Sequence, residues 1–183
     1  IAAGHETGLP VVSELMSGAQ LDAFADVDVI QIGARNMQNY DLLRALGRSE
    51  KPVLLKRGVG ATLQELLLSA EYLLAAGNPR VMLCERGIRT FDTFTRGTLD
   101  LAAVPALHEM THLPVLVDPS HAAGRAALVT PLALAAAACG ADGVMVEMHP
   151  DPLHARCDGA QALLPEELAA LSQRLHAVRE ACR

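Results

Sequence analysis

Six short apolar runs, each ending in polar or glycine-containing sequence, set the terms on which this chain can fold. They are Pro10–Leu15, Asp28–Gly33, Pro52–Lys56, Arg80–Cys84, Pro114–Asp118 and Gly143–Met148. The stretches between them carry helical spacing. The clearest is 62–76, TLQELLLSAEYLLAA, where Thr62 is expected as N-cap, Glu65 completes a capping box and Gly77 ends the helix. A second long helix is expected over Leu163–Cys182, with Pro165 near its start. Ile1-Ala2-Ala3 through Gly8 reads as the end of a helix leading into the first strand. Strands alternating with helices imply parallel β/α modules. Parallel strands are buried on both faces. With 51% hydrophobic but only 3% aromatic residues, the core must be built from Ala, Leu, Val and Ile.

No Gly/Ser linker or low-complexity segment interrupts the chain, so residues 1–183 are expected to form one catalytic barrel domain. Six modules fit either a doubly wound sheet or part of an eight-stranded barrel. The strand ends favour the barrel. Each run delivers its unusual residues at its C-terminal end: Glu14, Ala34-Arg35, Lys56-Arg57, Glu85-Arg86, Asp118-Ser120-His121, and Glu147 with His149. A barrel gathers all such ends at one mouth. An open sheet usually uses only those near its switch point. The expected fold class is therefore α/β, a (β/α)8 TIM barrel with about six of its eight modules in this chain. The other two strands are expected upstream of Ile1.

A net charge of −6 argues against a general nucleic-acid or membrane-surface role. The Ala-rich run Ala133–Cys139 is too short to span a bilayer. Cys84, Cys139, Cys157 and Cys182 show no CxxC spacing, which suits a reduced, cytoplasmic setting. Cys84 lies inside a strand and reads as packing.

Two clusters at the strand ends carry chemistry. Arg35, Lys56, Arg57, Arg86 and Arg89 are basic residues at or just after strand ends in an acidic chain. Arg grips phosphate and carboxylate bidentately and Lys adds a compact charge, so a small phosphate-bearing polyanion is implied. Gly33-Ala34 could add a backbone N–H at a helix start. The plainer reading of such residues is surface charge. The second cluster is His121, Glu147 and Asp158. One imidazole and two carboxylates suit a borderline divalent ion such as Mn²⁺, Fe²⁺, Co²⁺ or Zn²⁺. The plainer reading is that His121 caps a helix and Glu147 pairs with an Arg. His149 is a weaker candidate for substrate contact. His5, His108, His112, His154 and His176 read as surface residues.

These residues stand in long, ordered motifs: IQIGARNMQNYDLL (30–43), KPVLLKRGVGATLQE (51–65), GNPRVMLCERGIRTF (77–91), LPVLVDPSHAAGR (113–125), GVMVEMHPDP (143–152) and CDGAQAL (157–163). They resemble the class I 3-deoxy-D-arabino-heptulosonate-7-phosphate (DAHP) synthase family, in the branch related to 3-deoxy-D-manno-octulosonate-8-phosphate synthase. The resemblance covers essentially the whole chain.

It implies a metal-dependent transferase that condenses phosphoenolpyruvate with D-erythrose 4-phosphate at the start of the shikimate pathway, and a homo-oligomer. Carried over by position, Arg35 and Arg86 would hold the phosphoenolpyruvate phosphate, with the Ala34 amide. Lys56 would meet its carboxylate and pass a proton. Glu14 would stand near the attacking water. His121, Glu147 and Asp158 match three of the family's four metal ligands. The fourth, a Cys at the end of the first barrel strand, has no counterpart among the four Cys here. The family's Lys-Pro-Arg-Thr-type segment is absent as well. Those departures keep three alternatives open: a catalytically inactive remnant that retains phosphate binding, the octulosonate synthase, and an aldolase using Lys56 as a Schiff base.

Overall fold

The computed structural model describes residues 1–182. The chain divides into two compact units, Ile1–Leu83 and Cys84–Arg183.

The first unit opens with α1 (Ala2–Thr7), which stops at Gly8 in the left-handed region, φ 67°. Then come β1 (Val12–Glu14), a 3-10 segment Gly18–Phe24, β2 (Val29–Ile32) and a 3-10 turn Ala34–Asn36. After these follow α2 (Tyr40–Gly47), β3 (Val53–Lys56), α3 (Leu63–Ala75) and β4 (Val81–Glu85), whose last two residues belong to the second unit. The first three strands pair parallel, in the registers Val12 with Val29 and Ile30 with Val53. The Val53 N–H donates to the Arg80 carbonyl at 2.8 Å and carries the ladder to β4. Parallel strands all end on the same side, so Glu14, Ala34-Arg35 and Lys56 leave one edge of this unit.

The second unit holds α4 (Ala103–Met110), β5 (Val115–Val117), α5 (Pro119–Ala123), α6 (Ala126–Ala138), β6 (Gly143–Val144) and α7 (Pro165–Ala181). Two 3-10 turns, Pro152–His154 and Gly159–Gln161, lie between β6 and α7. β5 and β6 are parallel, Leu116 facing Gly143. Neighbouring strands of the sheet follow chain order, β1-β2-β3-β4-β5-β6. All six strands fall inside the runs read from the sequence.

The core is aliphatic, as the composition requires. In the first unit Ile30, Ile32, Leu43, Leu46, Leu54, Leu55, Leu66 and Leu73 are buried. α2 and α3 approach closely because Gly47 has no side chain: a Cβ there would run into Ala76 and the Leu73 carbonyl. In the second unit Val129, Ala133, Leu163 and Leu171 form the core, with Val144, Val146 and Leu175 against them. No helix of the described residues is long and apolar enough to cross a membrane.

Two boundaries differ from the sequence reading. The run Gly143–Met148 pairs with β5 only to Val144, plus one bond from Met145 N–H to the Val117 carbonyl. β5 then turns into α5, so the partner runs out. Met148 bridges to Leu163 instead, and the Leu163 N–H donates to the Glu147 carbonyl at 2.9 Å. That pairing takes Leu163 out of the last helix, which starts at Pro165.

α3 has the capping box expected of it. The Glu65 N–H donates to Thr62 Oγ1 at 3.2 Å, and the Thr62 N–H donates to the Glu65 carboxylate at 2.7 Å. The bond from the Thr62 backbone, and then that from its hydroxyl, hold the exposed Glu65 carboxyl below its usual pKa. This stabilisation is present above the ordinary Glu value and is lost as pH falls through the lower folded value. Thr62→Ala is expected to lower unfolding stability by about 1 kcal/mol. Glu65→Gln should remove part of the loss of stability on acidification; denaturant melts at neutral and acidic pH measure both.

Candidate metal and anion site

The organising element of the second unit is α5. Asp118 at its N-cap is fully buried. Its Oδ1 accepts the His121 backbone N–H at 2.9 Å, which caps the helix. Its Oδ2 lies 2.7 Å from His121 Nδ1. With Nδ1 held in this way, the ring presents Nε2 on its other side. Ser120, also buried, accepts the Glu147 N–H at 3.0 Å and fixes the chain just past β6.

His121 Nε2 stands 3.4 Å from Glu147 Oε1 and 3.9 Å from Asp158 Oδ2. One ligand atom from each of the three residues lies within 4.8 Å of the others. All three side chains are partly buried. The separations are longer than ordinary N–H···O bonds. They suit atoms that share an ion, since bonds of about 2.0–2.2 Å place neighbouring ligands roughly 3.0–3.5 Å apart. A nitrogen and two anionic oxygens fit a borderline divalent cation.

Arg86 closes the basic side of this unit. It is 7% exposed, and its Nη2 donates to the His121 carbonyl at 3.3 Å. Burial lowers its pKa first; Asp118 opposes that shift, and Arg96 adds to it by like-charge repulsion. A guanidinium stays charged regardless, so a buried cation here favours an incoming anion. Glu85 is structural: its carboxylate accepts the Gly87 N–H at 2.7 Å and shapes the loop behind Arg86. Gly87, φ 91°, packs against Ala122 with no room for a side chain.

In the first unit Ala34 and Arg35 line a cleft of about 270 Å³ with Met37, Gln38, Gly58, Gly60, Ala61 and Glu65. The segment after Gly33 is a single 3-10 turn, not the start of an α-helix. What it can offer an anion is therefore the Ala34 N–H and not a helix dipole. Arg35 is exposed, whereas Lys56 and Arg57 are buried at the end of β3. Arg57 is engaged, its Nε donating to the Ala61 carbonyl at 2.8 Å. Glu14 accepts from Gln31 Nε2 at 3.2 Å, and its carboxylate lies where a Cβ on residue 33 would sit, so Gly33 is required. Arg89 is exposed, and so are His5, His108, His112, His154 and His176, while Cys84 is buried.

Sequence reasoning missed Arg96 and Gln161. Arg96 Nη1 donates to Asp158 Oδ1 at 2.8 Å and to Gln161 Oε1 at 3.2 Å. Neither residue sits at a strand end, and only the folded loops pair them.

Parallel strands with chemistry at their C-terminal ends define a β/α enzyme class with anion-binding and cation-binding groups. The family model "DAHP synthetase I family" matches residues 1–183, and the chain belongs to that family. It is 50% identical over 180 residues to a phospho-2-dehydro-3-deoxyheptonate aldolase of Thermotoga maritima, which covers 98% of this chain and 53% of the relative. The chain thus spans about half the length of that curated relative. It is 35% identical over 171 residues to a 2-dehydro-3-deoxyphosphooctonate aldolase of Syntrophotalea carbinolica, covering 87% of this chain and 61% of that protein. Among solved structures, a truncated form of 3-deoxy-D-arabino-heptulosonate 7-phosphate synthase from Thermotoga maritima matches with a TM-score of 0.96 at 50% identity. The match covers 98% of this chain and 69% of that one. The fold class is accordingly α/β, with six modules of the (β/α)8 barrel type.

Asp118→Asn is expected to leave the fold intact and disturb the His121 tautomer. An amide that donates to Nδ1 forces the proton onto Nε2, the atom facing Glu147 and Asp158. Divalent-ion affinity should fall roughly ten- to hundredfold, measured by calorimetric titration of Mn²⁺.

Proposed function

We propose that this chain carries the catalytic machinery of a DAHP synthase, joining phosphoenolpyruvate to D-erythrose 4-phosphate. The observation that carries the reading is the convergence of His121, Glu147 and Asp158 in a chain matched by the family model along its whole length. His121, Glu147 and Asp158 would hold one divalent ion, Mn²⁺, Fe²⁺, Co²⁺ or Zn²⁺. Bound there, it supplies Lewis-acid polarisation of the aldehyde.

The chain's own residues do the rest. Arg35 with the Ala34 amide, and Arg86, are assigned to the phosphoenolpyruvate phosphate. Lys56 takes its carboxylate and moves a proton. Glu14 orients the water. C3 of phosphoenolpyruvate forms the new bond to the aldehyde carbon, whose oxygen takes up a proton. Water oxygen adds at C2 as positive character develops there, and the C2–O bond to phosphate breaks. The products are the seven-carbon 3-deoxy sugar acid phosphate and inorganic phosphate. Buried cations stabilise the charge on the leaving phosphate without reorganising. A homo-oligomer is part of the same proposal.

Arg86→Ala should cost about 2–4 kcal/mol of phosphoenolpyruvate binding by calorimetry, the range for truncating a buried charge-assisted pair. Arg86→Lys should also bind poorly, because an ammonium cannot reproduce the planar fork. Equal affinity in wild type and both variants would sink the assignment. Phosphate release with erythrose 4-phosphate, tested beside arabinose 5-phosphate, separates the heptulosonate from the octulosonate activity. Tight phosphoenolpyruvate binding with no release from either aldehyde would identify a binding remnant.

A further inference from the structure

Arg96 lies in the loop between β4 and α4, and nothing in the proposed reaction uses it. The loop is anchored on α5, the helix that carries His121. The Arg96 N–H donates to the Ala123 carbonyl at 3.2 Å, and the Gly97 N–H to the Ala122 carbonyl at 2.8 Å. Gly124, φ 66°, permits the close fit, since a Cβ there would stand 2.8 Å from the Arg96 Cβ. From this base the guanidinium reaches Asp158 and Gln161 through Nη1. Gln161 is 2% exposed, so its carbonyl is a fixed second acceptor.

Asp158 needs such an anchor. Among the described residues it is the one non-glycine with positive φ, at 53°. A side chain in that region costs on the order of 1–2 kcal/mol and stays there only when its surroundings hold it. Its neighbour Gly159 is fixed too, because a Cβ there would meet the Pro152 carbonyl. The two carboxylate oxygens then divide their work: Oδ1 bonds Arg96 at 2.8 Å while Oδ2 faces His121 Nε2 at 3.9 Å.

We propose that Arg96 is a positioning residue that holds Asp158 by one oxygen so that the other serves as a cation ligand beside His121. The inference rests on the ion site proposed above. A guanidinium close to a dication also repels it. Here the Arg96 side chain is 46% exposed, so water screens its long-range charge, while its bond to Asp158 is short and direct. Positioning therefore outweighs repulsion.

The test is Mn²⁺ binding to the full chain, followed by electron paramagnetic resonance of free and bound ion at fixed pH and ionic strength. Wild type should bind one ion and His121→Ala should not. Arg96→Met should bind roughly ten- to hundredfold more weakly, with a broadened bound-ion signal from a less ordered ligand set. Arg96→Lys should recover most of the affinity, because both bonds leave a single nitrogen that an ammonium can replace. Thermal midpoints in chelator should be similar for all of these proteins. Arg96→Gln replaces Arg96→Met if the latter does not fold, with the same loss expected. Arg96→Met binding as well as wild type, or more tightly, would overturn the proposal and leave the ion site standing. An Arg96→Lys protein as weak as Arg96→Met would overturn it as well. Absence of Mn²⁺ binding by wild type would remove the ion site itself, and the positioning role with it.

Discussion

The buried carboxylate of Asp118 is the interaction on which the second unit depends. A carboxylate removed from water is costly unless its oxygens are satisfied. Asp118 meets that demand with the His121 N–H on one oxygen and the His121 ring on the other. The same pair of bonds starts α5 and orients the imidazole, so helix formation and site geometry are one event. Ser120 and the carbonyls of Ala122 and Ala123 then tie three further segments to this short helix: the chain at Glu147 and the loop residues Arg96 and Gly97. A helix of five residues has little stability of its own. It persists because most of its length is buried and its polar groups hold other parts of the unit.

The two units use their strand ends differently. The first offers basic groups, an exposed Arg35 beside a cleft and a buried Lys56 at the end of β3. The second offers a mixed set, with Arg86 bonded to the backbone of the residue whose ring faces Glu147 and Asp158. A reaction that must grip phosphate and polarise a carbonyl needs both kinds of group. Parallel strands supply them economically, because every strand ends on the same side of its sheet and each end can carry a different side chain.

Much of the architecture was legible because it is local or periodic. Thr62 and Glu65 define the start of α3 through bonds spanning one turn, and the apolar runs mark strands because both faces must be buried. The last strand was read too long. Apolar sequence continues to Met148, but the ladder stops where β5 turns into α5, and sequence pattern does not report where a partner ends.

From its sequence alone, the chain determined the order of strands and helices, the aliphatic core and the residues delivered at each strand end. These follow from side-chain chemistry at fixed spacings. Tertiary structure decided which of those residues meet. Asp158 reaches His121 only because a loop places it at positive φ and Arg96, far from it in sequence, grips its other oxygen. Gln161 becomes a fixed acceptor only through burial. Convergence of this kind depends on loop paths and on the cost of leaving buried charge unpaired, and both are properties of the folded chain as a whole.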